Sequence, residues 1–408
     1  MNIFSVLAVN APGGLWSILI DWINGGVLNF GWTILLLTLL VKIVLSPLDF
    51  GVKYTTKKQM LVQQKCAPQI AKLQKKFGND QKTLQVQQQA LYKREGLNMG
   101  VGCIVMLVNL ILTMVIFFTL YSSLRSVSAY HAIDEYEQIH AEYESSYYQS
   151  LIDFSDSDEI VDKESAMEWQ TNFDTAKEFV ENEENDPESP EFIEHETTYE
   201  NGLPLVQKAT EDASKSAVNK WNSIKSSWLW IENIWVADAT TSPFPTYDGL
   251  KSLASNGGKY YSEYVTNNIN EAEYNAIAGL IQQNSRAQNG YYILAVLAGV
   301  LTFLSQWLAE LHNKLKSKKA NIVAKQASQP GNAMKIMKFI MPVIMVLFVI
   351  STGASFGIYI LTSNLASMLI GEIVTLIIAK LTKKKQLEVE EMLEKEANRL
   401  IKKGKLQE

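Results

Sequence analysis

The chain has 408 residues, a formal net charge of −6 and a mean hydropathy of −0.02. Its apolar residues concentrate in five stretches of membrane-spanning length, so this average combines lipid-facing helices with soluble segments. Two cysteines and four histidines indicate neither a disulfide framework nor a metal site. No stretch has the pattern of a removable signal peptide, and we expect the first true span to direct targeting.

Residues 1–26 include LWSILIDWIN, a segment too short to cross a bilayer. Trp16 and Trp22 lie in it, and tryptophan is typical of the headgroup level of a membrane. The pattern predicts an amphipathic helix along the membrane surface. The alternative is a frayed start of the first span.

The first span, residues 27–49, is an almost unbroken apolar run that contains one full charge, Lys42. An ammonium at the centre of a bilayer costs about 2.5–3.5 kcal/mol on insertion scales, so it must face water, a partner or a substrate. Snorkelling towards the helix end near Ser46 and Pro47 is one explanation. The other, which the rest of the chain favours, is a positive charge held in a polar, inward-facing cavity.

Residues 50–98 carry ten lysines and arginines against two acidic residues. Apolar residues recur at nearly helical spacing on both sides of Gly78 and Asn79, which form a turn signal. The pattern predicts two antiparallel helices that form a basic hairpin beside the membrane.

The second span, residues 99–125, is followed by an abrupt change in composition. Residues 126–290 contain 31 acidic and nine basic residues, which is typical of a soluble segment. Because tyrosine and phenylalanine recur through this insert, we expect a small, mostly helical domain. Three tryptophans near its end are interpreted as an interface anchor: Trp228, Trp230 and Trp235.

Three further spans follow the insert, and the basic residues between them set the topology. The loop after the third span and the C-terminal tail are rich in lysine, so they and the hairpin are predicted to be cytoplasmic, with the N-terminus and the insert outside. The chain is therefore expected to be a multi-pass protein of the plasma membrane. The predicted segments are the third span 291–312, a basic loop 313–333, the fourth span 334–353, the fifth span 354–380 and a charged tail 381–408.

The order of these parts resembles the YidC/Oxa/Alb family of membrane-protein insertases. VKIVLSPL resembles the family's span that ends in a basic residue followed by proline. QKCAPQIAKLQKKFGND and LYKREGLN resemble its cytoplasmic hairpin, and NMGVGCIVMLVN resembles the start of its second span. SSWLWIEN, LAGVLTFLSQWL, MKFIMPVIM and IYILTSN resemble stretches before and within its last three spans. The resemblance covers the spans and the hairpin but not most of residues 126–290.

Several positions depart from the family's pattern. The groove residue is Lys42, where arginine is usual, and Asn109 replaces a glutamine. Met99 and Val105 replace prolines, and Ile360 replaces a tryptophan. The resemblance implies an all-α polytopic membrane protein with a five-helix core, a cytoplasmic helical hairpin and an extracytoplasmic, mostly helical insert.

The resemblance also implies a function, which is to insert and help fold membrane proteins without ATP. A polar, positively charged groove open to the cytoplasm and lipid would admit hydrophilic tails, and an apolar slide would pass hydrophobic segments to lipid. The polar candidates, for which interhelical hydrogen bonding is the alternative role, are Lys42, Thr38, Asn109, Thr113, Gln306, Ser363, Asn364 and Glu372. The slide candidates, for which plain lipid contact is the alternative, are Ile111, Met114, Phe117, Met341, Met345 and Phe348.

Lys42 and Glu372 lie at similar depths, because each is seven or eight residues from the cytoplasmic end of its span. Pairing two buried charges costs less than leaving either alone, so the sequence predicts a resting contact or water bridge between them. The alternatives are that Glu372 reaches water at the mouth of the groove or that it faces Gln306.

The partners implied are nascent membrane proteins and the lipid bilayer, with the ribosome, the signal recognition particle receptor and the Sec translocon as further candidates and no DNA. The sequence offers no nucleophile–base pair, phosphate loop or metal cluster, so we expect no enzyme chemistry, no catalytic residue and no cofactor. The alternative functions are a polytopic transporter or channel with an extracytoplasmic sensor domain, and a structural chaperone that gathers subunits. Against a transporter, the spans show no internal repeat.

Overall fold

The computed structural model describes residues 9–97, 99–155, 160–182, 184–286, 288–313 and 332–402, and within them leaves out the side chains of residues 99–103, 309–313 and 332–338. Most of the predicted basic loop 313–333 and the last six residues of the tail lie outside the described residues, as do the side chains of Met99 and Cys103. The described residues form twelve helices, and their only β pairing is an isolated bridge between Trp228 and Ile231.

The chain divides into two compact units. One unit, called the membrane unit here, comprises Ile18–Ser122 and Tyr292–Glu408. The other, called the insert unit, comprises Met1–Ser17 and Ser123–Tyr291. Two helices, α1 (Leu15–Val27) and α4 (Met99–Phe154), have residues in both units.

Seven helices supply the membrane unit. Three of them are long and apolar enough to cross a membrane: α2, α4 from Ile104 onwards, and the last helix, α12. Two shorter apolar helical segments, Ile293–Leu308 and Phe339–Ile350, lie in α10 and α11. The chain is therefore an all-α, multi-pass membrane protein. The helices are α1 (Leu15–Val27), α2 (Phe30–Phe77), α3 (Gln81–Arg94), α4 (Met99–Phe154), α10 (Ile293–Asn313), α11 (Asn332–Ile350) and α12 (Ala354–Lys402).

Helix α2 runs without interruption from the apolar span into the basic segment. Asn29 caps its first turn by accepting a hydrogen bond from the backbone N–H of Trp32 at 3.2 Å. The helix passes through Pro47 and Pro68 and ends before Gly78. The first arm of the hairpin is thus the continuation of the membrane helix, which fixes the direction in which its lysines project.

The hairpin formed by α2 and α3 has a small apolar core made by Cys66, Ile70 and Leu91. An ion pair between Lys65 Nζ and Glu95 Oε2, 2.6 Å apart, joins α2 to the end of α3. Since both side chains are partly exposed, this pair contributes little stability beyond that of the core.

Helix α12 extends far beyond its apolar part and packs along α2. Val389, Leu393 and Ala397 repeat every four residues on one face and are buried. The charged tail predicted from the sequence is therefore an amphipathic extension of the last apolar helix, in the part of the chain that the structure describes.

The insert unit has its own hydrophobic core. Trp221, Phe244 and Tyr274 are almost fully buried, with ring centroids 5.2 Å apart for the first two and 5.8 Å apart for the last two. A second small core around Leu151 and Ala209 joins α4 to α5 and α6. The helices of this unit, besides the second part of α4, are α5 (Lys163–Glu181), α6 (Pro190–Ile224), α7 (Tyr247–Gly257), α8 (Lys259–Asn268) and α9 (Glu271–Asn284).

Two of the three tryptophans interpreted as an interface anchor are interior residues of this unit. Trp235 has no exposed surface and stacks on His131, with ring centroids 4.5 Å apart. Trp228 is 5% exposed. Both therefore stabilise the unit by burying aromatic surface inside it.

Three buried polar residues from distant parts of the chain form one hydrogen-bond network. The Asn233 side chain donates from Nδ2 to Glu135 Oε2 at 3.0 Å. The backbone N–H of Asn233 donates to Asn289 Oδ1 at 2.7 Å, and Asn289 Nδ2 donates to the carbonyl oxygens of Asn233 and Ala237 at 2.8 and 2.9 Å. We call Glu135, Asn233 and Asn289 the polar network of the insert unit.

Glu135 makes the stability of the insert unit dependent on pH. Burial raises its pKa to about 8, so the folded unit holds a proton that the unfolded chain releases near pH 4.5. Stability is therefore greatest below the unfolded pKa and is lost as pH rises through the folded pKa. Burial lowers the pKa of His131 to about 4 from its ordinary 6.5, so this residue changes stability in the opposite direction, but only below about pH 6.5.

Between pH 6.5 and 8 we expect the free energy of unfolding to fall by up to about 1.4 kcal/mol per pH unit. Glu135→Gln keeps an acceptor for Asn233 and should flatten this slope. This slope is measured by unfolding the purified chain in denaturant at several pH values, with tryptophan fluorescence as the signal. Equal slopes for the wild type and Glu135→Gln would contradict the assignment.

Candidate functional site

A cavity of about 780 Å³ opens in the membrane unit between α2, α10 and α12. Its size falls in the range of sites that hold a drug-sized ligand. Its lining combines charged, amide and hydroxyl side chains with a few apolar ones, so a polar group entering it finds partners. We call this cavity the polar cavity.

Among the residues that the structure describes, three with charged side chains line the polar cavity. Lys53 and Lys57 come from α2, four residues apart and therefore one above the other on the same helix face. Glu372 comes from α12. The charge of Glu390, further along α12, also acts on Lys57. The cavity thus has a cationic wall on α2 and an anionic group on α12.

Gly371 gives Lys53 its place in the cavity. A Cβ atom built on Gly371 would lie 2.6 Å from Lys53 Nζ, which is closer than real Cβ contacts come. The ammonium therefore rests against the bare backbone of α12, next to Glu372. Any side chain at position 371 would displace it.

Amide and hydroxyl groups from all three helices supply the remaining polar lining. They are Thr56, Gln59, Gln63, Ser305, Asn364, Ser367, Thr375 and Gln386.

Two of these residues already serve in hydrogen bonds of the helices. Asn364 Nδ2 donates to Thr302 Oγ1 of α10 at 3.2 Å, and Thr375 Oγ1 donates to the carbonyl oxygen of Gly371 at 2.7 Å. Asn364 thereby joins α10 to α12 by a hydrogen bond, which is the alternative role considered for the polar candidates. It also lines the cavity.

Of the polar residues that the sequence singled out, the structure brings Asn364 and Glu372 into the cavity. Thr38 is buried and donates to the carbonyl oxygen of Ile34 at 2.6 Å, so its hydroxyl is satisfied within its own helix. Gln306 and Ser363 are half-buried neighbours of the lining residues Ser305 and Asn364 on the same helices.

Lys42 is half-buried on α2, eleven residues before Lys53, and it is not among the described residues that line the polar cavity. At a rise of about 1.5 Å per residue, the two lysines are about 16 Å apart along the helix. The charge of Asp49, two turns further along α2, acts on Lys42. Pairing of Lys42 with Glu372 stays a prediction.

Helix α4 presents the other predicted residues. Asn109 is half-buried and Thr113 is exposed, as are Ile111 and Met114 at 53% and 50%. An exposed surface of this kind on an apolar helix suits contact with lipid or with a hydrophobic partner segment.

An aromatic cluster that the sequence did not reveal joins α4, α11 and α12. Phe117 lies with its ring centroid 6.2 Å from that of Phe348 and 5.7 Å from that of Phe356. The ring centroids of Tyr121 and Phe356 are 4.6 Å apart. Two of the predicted slide residues, Phe117 and Phe348, therefore help to hold the helices together. The other two, Met341 and Met345, are half-buried on α11.

Sequence reasoning missed Lys53, Lys57 and Gly371, although a signal for the lysines was present. Residues 53, 56, 57, 60 and 63 line the cavity and fall on a single face of α2, with spacings of three and four. The helical spacing of its apolar residues and the turn signal at Gly78 and Asn79 predict a hairpin beside the membrane and do not show which face meets other helices. The face becomes recognisable only when α2 is known to continue through it.

Comparisons with known proteins place most of the chain in one family. The family model described as 60Kd inner membrane protein matches residues 22–173 and 219–385. The unmatched part between them belongs to the insert unit.

Curated relatives are similar to the chain over shorter stretches. A protein of Wolinella succinogenes named membrane protein insertase YidC is 38% identical over 120 residues, which are 29% of this chain and 19% of that protein. Proteins of the same name are 35% identical over 118 residues in Stenotrophomonas maltophilia K279a and 36% identical over 107 residues in Helicobacter pylori 26695, covering 29% and 26% of this chain and 19% and 18% of the relatives. The chain thus spans about a fifth of the length of the relatives it matches. No solved structure matches it significantly.

Proposed function

The chain belongs to the 60Kd inner membrane protein family, the YidC/Oxa/Alb family, and on that premise we propose that it is a membrane-protein insertase. The single observation that carries the proposal is the polar cavity, a charged and amide-lined space between helices that are otherwise apolar. A hydrophilic chain segment cannot enter hydrocarbon without losing its hydrogen bonds to water. Side chains that replace those bonds lower the cost of entry.

Lys42 is the cation nearest the centre of its span, and in this proposal it attracts acidic residues of a client's translocated tail. A half-buried charge in an apolar helix lies in a medium of lower dielectric constant than bulk water, so the attraction is stronger there. Asn364 and Glu372 line the polar cavity, and Gln306 and Ser363 are neighbours of lining residues. In this proposal Thr38, Asn109 and Thr113 line the remainder of the path. Ile111, Met114 and the residues of α11 would guide the client's hydrophobic segment into lipid.

The proposed orientation follows the distribution of basic residues. The hairpin of α2 and α3 and the tail of α12 are placed in the cytoplasm, and the N-terminus and the acidic insert unit outside the plasma membrane. Nascent membrane proteins are the proposed clients. The basic hairpin offers an electrostatic surface to the ribosome, to the signal recognition particle receptor or to partners at the Sec translocon. Members of this family are not a class of catalytic enzymes, so no chemical step is proposed.

Reconstitution into liposomes tests the proposal against its alternatives. The purified chain should insert a small single-span client and protect its translocated tail from added protease, without ATP. Empty liposomes are the control. Ion flux without insertion would favour a channel or transporter, and a chain that gives neither would be a structural chaperone.

Removal of the insert unit should leave basic insertion intact, because this unit folds around its own core. The residues to be removed are chosen from the extent of the core of the insert unit. Excision of residues 135–220 alone would strip Tyr136 and Ile139 from that core and leave Trp221 and Phe244 exposed.

Replacement of residues 128–288 by a Gly/Ser linker removes all of that core except Val9. We expect insertion in liposomes within about twofold of the wild type. Complete loss of insertion by a variant that is expressed and extracted normally would show that the insert unit is part of the insertion machinery.

A further inference from the structure

We infer that the polar cavity is a binding site for acidic peptide segments, in which Lys53 and Lys57 bind client carboxylates before these reach Lys42. The inference rests on the proposed function and adds a second cationic position to it. The position lies in the continuation of α2 beyond its apolar part, about 16 Å along the helix from Lys42.

The placement of the two lysines supports recognition of carboxylates. Both line the cavity, and their spacing of four residues puts the ammonium groups on one face of α2. Lysine is a flexible, strongly hydrated point charge that can follow a mobile partner. An acidic segment that moves towards Lys42 would therefore meet two cations first.

The rest of the lining favours a peptide over a lipid headgroup. Each peptide unit brings one donor and one acceptor, and the amides of Gln59 and Gln63 offer both kinds of group. A lipid phosphate brings acceptors only, so the amide oxygens would find no partner on it.

Gly371 acts as a positioning residue for this site. Because Lys53 Nζ lies 2.6 Å from where a Cβ of residue 371 would be, the absence of a side chain lets the ammonium reach the α12 wall. Alanine favours a helix more than glycine does, so Gly371→Ala should not unfold α12. It should move the Lys53 ammonium and so weaken binding of acidic peptides.

Peptide binding to the full-length chain in nanodiscs of zwitterionic lipid tests the inference. The probe is a fluorescein-labelled decapeptide with four glutamates, compared by anisotropy with the same peptide carrying glutamines. We expect the wild type to bind the acidic peptide at least tenfold more tightly, and Lys53→Gln/Lys57→Gln to remove this preference. Lys58→Gln is the matched control, because Lys58 is exposed on the same helix and is not among the described residues that line the cavity.

Gly371→Ala shows whether Gly371 acts by placing the Lys53 ammonium or by supporting the structure of the cavity in general. It should reduce the affinity for the acidic peptide at least threefold and leave the affinity for the glutamine peptide unchanged. Combined with Lys53→Gln it should cause no further loss, since its effect acts through that lysine. Additive losses from the two substitutions would overturn the positioning role.

The inference is overturned if the wild type binds both peptides equally, or if Lys53→Gln/Lys57→Gln leaves the preference intact. It is also overturned if the double substitution instead removes phosphatidylglycerol bound to the protein, measured by mass spectrometry, while peptide binding is unchanged. A wild-type chain that inserts clients but shows no peptide preference overturns this inference alone. A chain that inserts no client overturns the proposed function.

Discussion

Lys42→Glu is expected to lower insertion of a client with an acidic translocated tail by at least about 100-fold. At an effective dielectric constant of about 20, two unit charges about 5 Å apart attract by about 3 kcal/mol, and reversal of one charge turns attraction into repulsion. Lys42→Arg keeps the charge and should remain active, and Lys42→Ala should be intermediate. Protease protection of the client tail in liposomes measures all three.

Two controls show whether the charge at this position matters. Lys58→Glu makes the same change of charge at an exposed position of the same helix and should insert normally. A client with an uncharged tail should be inserted by Lys42→Glu nearly as well as by the wild type. Normal insertion of the acidic-tailed client by Lys42→Glu would show that electrostatic attraction at Lys42 has no part in the mechanism.

Asn289→Ala is expected to destabilise the insert unit by about 3–5 kcal/mol. Asn289 has no exposed surface, and its side chain serves the backbone N–H of Asn233 and the carbonyl oxygens of Asn233 and Ala237. Truncation leaves these buried groups without that partner, and each such group costs about 1–3 kcal/mol. For a unit of this size, the midpoint of thermal unfolding should fall by about 10 °C.

Tryptophan fluorescence during heating of the purified chain reports this change, because Trp221 and Trp235 are buried in the same unit. Asn284→Ala is the matched control. The Asn284 side chain is exposed and donates only to the carbonyl oxygen of Leu280, four residues earlier on its own helix. A midpoint for Asn289→Ala equal to that of Asn284→Ala would contradict the role of the polar network.

The membrane helices could be predicted from sequence because local composition determines them. An apolar run of about 20 residues specifies a span whatever surrounds it, and a charge inside such a run stands out at once. The turn at Gly78 and Asn79, between α2 and α3, was likewise visible as a local signal. The continuity of α2 through Pro47 was not, because proline usually ends or kinks a helix.

The cavity could not be predicted in the same way, because its walls come from segments about 300 residues apart in the sequence. Lys53 is ordinary in its basic neighbourhood, and Gly371 is ordinary in an apolar helix. Only the packing of α2 against α12 brings the ammonium onto the glycine. The same reasoning applies to Glu135, Asn233 and Asn289, which no local pattern connects.

A charge exchange between insertase and client tests the central claim most directly, namely that a groove cation draws acidic tails into the membrane. Insertion in liposomes is measured for wild-type and Lys42→Glu chains, each with a client whose tail carries either acidic residues or lysines at the same positions. Lys42→Glu is expected to insert the acidic-tailed client poorly and the lysine-tailed client well. The change of charge in the client tail then compensates for the change of charge at position 42. If Lys42→Glu lowers insertion of both clients equally, position 42 acts without regard to client charge and the claim is wrong.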